Sequence, residues 1–282
     1  MSAQVNEYYW NLALDISAKA IAKSKLQPIK TNLKYISCNQ YINFECRSIN
    51  SSFKFSKVYG PKKNPFCPWD KGLELELIGN DHVLILNKYP VQIGHMLLIT
   101  KGWRPQDGWL SFEDWKAIKV VDNDTKGLWF FNSCSRAGAS QRHRHIQLLR
   151  REHINDICPL QNYYKNLDVT YINSSEILSK NITVVKRDKD NDEALDLFNS
   201  YHELSVKSGI GNPNKKQKPL YPYNLLISPE WIALIKRSSE FTHGFSLNAL
   251  AFAGYLLSTD NQGQKWLEQN GPIKLLENVV MK

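Results

Sequence analysis

The chain lacks any apolar run long enough to cross a bilayer: "HVLILN" and "ALAFAGYLL" are the longest, well short of the roughly 20 residues a spanning helix needs. Its opening, "MSAQVNEYYW", lacks the basic start and apolar core of a secretory leader, so a cytoplasmic protein with no membrane partner is expected. Cysteine is scarce. The five (Cys38, Cys46, Cys67, Cys134 and Cys158) are odd in number and never spaced CxxC, which speaks against a disulfide framework or a thiolate zinc knuckle and for free thiols. Internal repeats and low-complexity tracts are absent. Acidic residues are in deficit: Lys and Arg outnumber Asp and Glu by 36 to 27, a formal charge of +9. A positive field raises the local concentration of anionic ligands whatever the fold. The basic residues are spread along the chain and not interleaved with aromatics on one element, so nucleic acid is not the expected anion. The short clusters "GPKKNPF" and "NPNKKQKP", rich in Pro and Asn, read as exposed loops.

What is present is ordinary for a globular domain: 282 residues, 42% hydrophobic and 22% charged. The segment "EYYWNLALDISAKAIAKSKL" has apolar residues near helical spacing. "INFECRS" and "LELELIG" alternate, while "HVLILN", "HMLLIT", "GLWFFN" and "HIQLL" suit a central sheet. In "LSFEDWKAIKVV", Ser111 and Asp114 stand at capping-box spacing before a helical pattern. Later, "NITVVKR" reads as a strand and "DEALDLFNSYHELSVKSG" as a helix closed by Gly209. "YNLLIS" and "WIALIKR" form a hairpin, followed by helices over "LNALAFAGYLLS" and "GQKWLEQNGPIKLLENVV". The expected class is α+β, with a mainly antiparallel sheet flanked by helices. The whole of 1–282 is expected to be one domain, with core motifs at about 45–150 and a C-terminal subregion at about 151–282.

The chemistry concentrates in "GASQRHRHIQLL", residues 138–149. On a strand, His143, His145 and Gln147 share one face, while Arg144, Ile146 and Leu148 share the other. Gly138, Ala139, Ser140 and Gln141 form a turn of small side chains ahead of them, whose backbone N–H groups can approach an anion. Two histidines bonding at a sheet edge is the plainer alternative. A metal site would need further ligands, and the nearest thiol, Cys134, lies in a different local segment.

The run "NSCSRAGASQRHRHIQ" resembles the signature of ATP adenylyltransferases, also called diadenosine tetraphosphate phosphorylases, within the histidine-triad superfamily. "KKNPFCPWD", "LNKYPVQIGHMLLITK", "YNLLISPEW" and "SLNALAFAGYLL" are similar to that family's segments and occur in its order. Cys134 stands where glycine is usual and Arg142 where proline is common. The resemblance implies a histidine-triad-like fold and an adenylylated-histidine intermediate on His145, with His143 and Gln147 beside it. Hydrolase branches carry a third histidine where this chain has Gln147, and an amide can donate a hydrogen bond without exchanging a proton at neutral pH. The resemblance also implies nucleotide contacts from Asn132, Gly138, Ala139, Ser140, Gln141, Asn87 and Lys88, with His95 nearby. It assigns the distal phosphates to Lys57 and the second adenosine to Tyr223 and Asn224. The implied ligands are a dinucleoside polyphosphate, ATP, ADP and phosphate, with magnesium or another divalent cation borne by the substrate and no protein metal site. The sequence sets no oligomeric state. Two further readings stay open: a uridylyltransferase acting on hexose phosphates, whose members usually carry proline where this chain has Arg144, and a basic RNA-binding protein.

Overall fold

The computed structural model describes residues 7–39, 42–49, 64–151, 156–166, 175–188, 192–258 and 261–282. Its strands in chain order are β1 (Thr31–Ser37), β2 (Asn43–Ile49), β3 (Glu74–Ile78), β4 (His82–Leu86), β5 (Met96–Thr100), β6 (Leu128–Asn132), β7 (His145–Leu149), β8 (Ile182–Lys186), β9 (Tyr223–Ile227), β10 (Trp231–Lys236), β11 (Phe241–Thr242), β12 (Phe245–Ser246) and β13 (Tyr255–Ser258). The helices are α1 (Tyr8–Ala22), α2 (Phe112–Asp124), α3 (Gln161–Lys165), α4 (Glu176–Asn181), α5 (Ala194–Lys207), α6 (Ala249–Phe252) and α7 (Asn261–Glu277). The fold is thus mixed α+β.

An eight-stranded sheet runs β3-β4-β5-β7-β6-β9-β10-β8, antiparallel at every pairing. A five-stranded sheet, β1-β2-β13-β12-β11, contains one parallel pairing, β13 with β2. On one face of the large sheet, α1, α2 and α5 bury Trp10, Trp115, Ile118, Leu197 and Tyr201 against Leu98, Ile146, Leu148, Trp129 and Phe131. The capping box of α2 is formed as its spacing predicts, Ser111 Oγ accepting from Asp114 N–H and the Asp114 carboxylate from Ser111 N–H. The end of α2 in turn caps α1: Tyr9 N–H donates to Asp124 and Trp10 N–H to Thr125. The opposite face carries two apolar clusters. Leu128, Phe130, Leu149 and Leu226 pack beneath Phe44, Phe252 and Leu256, whereas Phe66 covers Val83, Ile85, Leu97 and Ile99. Gln147 pairs with Leu97 on one side and Phe130 on the other, so the polar face of β7 lies in the seam between those clusters.

The segment 247–258 departs from the helix predicted for it. Only one turn, α6, forms; the chain then bends at Gly254 (φ 98°) and continues as β13. A Cβ at Gly254 would lie 2.7 Å from Pro159 Cβ and 3.0 Å from the Asn43 carbonyl, so the bend needs glycine twice over, for its φ and for its bare Cα. The gain is the parallel ladder of β13 on β2. The predicted C-terminal helix is broken at Gly271 (φ 78°, ψ 162°), just before Pro272. Strand β1 has no counterpart in the sequence reading; its exposed, weakly patterned "TNLKYIS" gains strand structure by pairing with β2.

Candidate functional site

A cleft of about 570 Å³ opens above the β7 seam, with β6, β7 and His95, just ahead of β5, as its floor and elements of the small sheet as its far wall. Its polar lining includes Arg47, Asn87, His95, Asn132, Ser140, His145, Gln147 and Asn248; its apolar lining includes Phe130, Leu149 and Leu256. That mixture and size suit a nucleotide-sized ligand.

His145 opens β7, almost wholly buried, and its neighbours dictate its tautomer. Nδ1 lies 2.8 Å from the His143 carbonyl, an acceptor only, so Nδ1 carries the proton and donates it. Nε2 therefore holds the lone pair, and it makes no hydrogen bond among the described residues. Burial pushes the ring's pKa down to about 4, so it is neutral throughout the physiological range. The backbone beneath is clamped by Gln106: its Oε1 accepts from His145 N–H, and its Nε2 donates to the carbonyls of Asn132 and His145. One buried amide thus ties the ends of β6 and β7 together.

Gln147 is oriented by a chain of bonds that starts at the backbone. Tyr89 N–H donates to Asn87 Oδ1, leaving Asn87 Nδ2 to donate to His95 Nδ1 at 3.1 Å. His95 must then carry its proton on Nε2, which donates to Gln147 Oε1 at 3.1 Å. With its oxygen engaged, the amide presents Nε2, a pure donor, to the cleft. Burial holds His95 neutral as well, its pKa near about 4.

These depressed pKa values carry a linkage to stability. As pH falls below 6.5, unfolded His95 and His145 take up protons while the folded rings refuse them until about 4, so stability present above 6.5 is lost across that window. The limiting slope is about 1.4 kcal/mol per pH unit for each histidine. Chemical denaturation between pH 7 and pH 5 should show a smaller slope in His145→Ala than in wild type; equal slopes would contradict the buried neutral state.

The structure corrects several sequence assignments. His143 shares the face of His145, both rings contacting Phe66, but it does not line the cleft. Its Nε2 donates to the Thr100 carbonyl and its Nδ1 accepts from Asn64 Nδ2, so neither nitrogen is available and its role is to hold the carbonyl that fixes His145. In the 138–141 turn, Gly138 N–H and Ala139 N–H are consumed by the carbonyls of Ser135 and Cys134, which removes them as anion donors. Gly138 and Ser140 reach the cleft; Ala139 and Gln141 do not. Gly138 (φ 90°) has no room for a side chain, since a Cβ would sit 2.6 Å from Asn248 Cβ. Asn87 lines the cleft, whereas Lys88 is exposed and lies over the Tyr89 ring outside it. Tyr223 and Asn224 have no exposed surface and cannot touch a second adenosine: Tyr223 bonds Tyr201 in the core, and Asn224 sits behind Asn132. Lys57 lies outside the described residues. Arg144 faces the other side of the sheet, paired with Asp114 and bonded to the Pro105 and Trp109 carbonyls.

Sequence reasoning missed Gln106, Arg47, Asn248 and Tyr255. Arg47, on β2, supplies the cation among the described lining residues. Asn248 caps α6, accepting from Leu250 N–H, and the Asn before "ALAF" is a helix-start signal that would have located it. Tyr255 lines the same cleft, and its hydroxyl is buried without a partner among the described residues.

Comparison with known proteins bears on the family and the fold. Residues 2–165 match the Ap4A phosphorylase N-terminal domain, and residues 157–282 match the ATP adenylyltransferase C-terminal domain. Protein APA1 of Saccharomyces cerevisiae is 24% identical over 209 residues, a match covering 64% of this chain and 62% of that relative, which is less than two thirds of its length. The crystal structure of yeast Ap4A phosphorylase Apa2 superposes with a TM-score of 0.75 at 19% identity, covering 98% of this chain and 96% of that one. The structure of Apa2 in complex with Ap4A gives 0.73 over the same shares. That in complex with AMP gives 0.75, also at 19% identity, over 96% of this chain and 94% of that one. With its N-terminal domain matched over more than half the chain and its C-terminal domain over the rest, this protein belongs to the Ap4A phosphorylase family.

Proposed function

We propose that the protein is a nucleotidyltransferase that cleaves diadenosine tetraphosphate with inorganic phosphate to ATP and ADP, and runs the reverse reaction, through an adenylylated histidine. The observation that carries this reading is the pairing, in one cleft, of a neutral imidazole with its Nε2 lone pair unengaged and an amide fixed as a donor. His145 Nε2 attacks the α-phosphorus; the N–P bond forms as the P–O bond to ATP breaks, and the ATP oxyanion leaves. The ring becomes cationic, and its Nδ1–H bond to the His143 carbonyl strengthens as that charge develops. A phosphate oxygen then attacks the same phosphorus, the electron pair returns to Nε2, and ADP departs. Gln147 Nε2 donates to a non-bridging oxygen in both steps. A divalent cation such as magnesium travels with the polyphosphate, and the reaction takes place in the cytoplasm. No helix among the described residues is long and apolar enough to cross a membrane. The uridylyltransferase and RNA-binding readings are not favoured, since both halves of the chain match adenylyl-transfer families.

The test is incubation with diadenosine tetraphosphate and phosphate, the products resolved by chromatography. Equal ATP and ADP, appearing only with phosphate, are expected; no turnover of dinucleoside polyphosphates would overturn the reading. The pH profile is a further check. Because burial holds His145 neutral down to about 4, kcat/KM should show no acid limb near 6.5, the usual histidine value. A limb at 6.5 that vanishes in His95→Gln would place the controlling ionisation on His95 and contradict its burial.

A further inference from the structure

Arg237 has no exposed surface and forms no salt bridge among the described residues. Its donors go to neutral oxygens: Nε to the Val279 carbonyl, Nη2 to the carbonyls of Ser239 and Leu247, and Nη1 to the side-chain oxygen of Asn224. The Phe252 ring closes over the guanidinium, its centroid 5.0 Å away. An unpaired buried cation is costly, and desolvation lowers its pKa to about 9, yet it still keeps its charge at neutral pH. Stapling backbone carbonyls explains three of the bonds. The fourth leads toward the cleft.

With its oxygen held by Arg237, Asn224 donates through Nδ2 to Asn132 Oδ1 at 2.8 Å and to the Ala137 carbonyl at 2.8 Å. Asn132 Oδ1 also accepts from Ala249 N–H, which leaves the Asn132 amide nitrogen as its only side-chain donor, in a residue that lines the cleft beside His145. Each link is directional, because a bond to a charged donor polarises the amide that accepts it and strengthens that amide's own donation. We propose that Arg237 is a positioning residue for the substrate phosphate: its positive charge is relayed through Asn224 to Asn132, whose Nδ2–H meets a phosphoryl oxygen beside His145. The protein thereby directs positive potential at the reacting phosphate from a cation that water and bulk counterions cannot reach. The inference rests on the adenylyl-transfer reading of the cleft, since it requires an adenylate phosphate there.

The experiment compares an anionic with a neutral ligand. Calorimetric affinities for AMP and adenosine are measured on the full chain, as wild type, Arg237→Met and Asn224→Asp. Asn224→Asp is nearly isosteric, places a carboxylate on Arg237 and removes the donor to Asn132, so it carries the test if Arg237→Met does not fold. Wild type should prefer AMP. Each variant should lose about tenfold in AMP affinity while keeping adenosine within about twofold. A merely structural Arg237 would weaken both ligands alike, and that result, or an unchanged AMP affinity in Asn224→Asp, overturns the relay. If wild type binds neither ligand, the assignment of the cleft falls first and takes the relay with it; AMP and adenosine bound equally by wild type overturns the relay alone.

Discussion

His145→Ala is expected to lower phosphorolysis of diadenosine tetraphosphate by about 10⁴-fold or more, as loss of a covalent nucleophile does, while AMP binding changes by no more than about threefold. The two outcomes separate because the ring contributes a bond only during chemistry. Other residues lining the cleft, among them Asn132 and Arg47, are untouched by the substitution. Wild-type protein held without phosphate should accumulate the adenylylated ring, and the sequence makes the assignment direct. Trypsin cleaves after Arg144, so His145 and His143 fall in different peptides. The adenylyl group is expected on the peptide beginning at His145, mapped under alkaline conditions because the N–P bond is acid-labile. Label on His143, or a mutant within tenfold of wild type, would remove His145 from the role. The geometry already weighs against His143, since both its ring nitrogens are occupied.

The face shared by His143, His145 and Gln147 was legible because a strand's period is independent of its partners. Capping of α2 was legible for the same kind of reason: Ser111 and Asp114 interact across three residues, and their spacing is the signal. Long-range features left no such trace. Gln106 clamps His145 from 39 residues away, brought there by the bridge of Pro105 to His143 and the bond of its N–H to the Arg142 carbonyl. Residues 247–258 read as a helix because an apolar run has no period that separates a buried strand from a buried helix; pairing with β2 decided the matter, and Gly254 was the one local hint. The assignment of Tyr223 and Asn224 to a nucleotide rests on the family resemblance of "YNLLISPEW" alone. Here β9 is interior to the sheet: Tyr223 bonds Tyr201 in the core of one face, and Asn224, on the other face, sits behind Asn132. The polarity of the Asn87, His95 and Gln147 chain is legible only in three dimensions, because it depends on which atom of each group is already bonded.

That polarity sets the expectation for Gln147→His. In wild type, His95 Nε2–H occupies Gln147 Oε1, and the remaining Nε2 of the amide can donate but cannot take up a proton. A histidine at 147 would turn toward the cleft a titratable ring nitrogen in place of the amide's fixed donor. A group able to give and recover a proton then stands beside the phosphorus on His145. As the imidazolium it can protonate the departing ATP oxygen in the first step, and the neutral ring so formed can draw a proton from water in the second. General acid–base assistance of this kind is worth about 10² to 10⁴ in rate. Water at its bulk concentration competes with phosphate for the intermediate, so even the lower end of that range should change the products. The AMP to ADP ratio at subsaturating phosphate is expected to rise by about 10²-fold in Gln147→His, while total phosphorolysis falls because the donor to the non-bridging oxygen is lost. Titrating phosphate should restore ADP in wild type at low concentration and in the variant only at high concentration. A wild-type ratio in the variant at every phosphate concentration would show that Gln147 does not partition the intermediate. The exclusion of water would then rest on the way the acceptor phosphate is held, and Arg47, the cation on the far wall of the cleft, would be the residue to replace next.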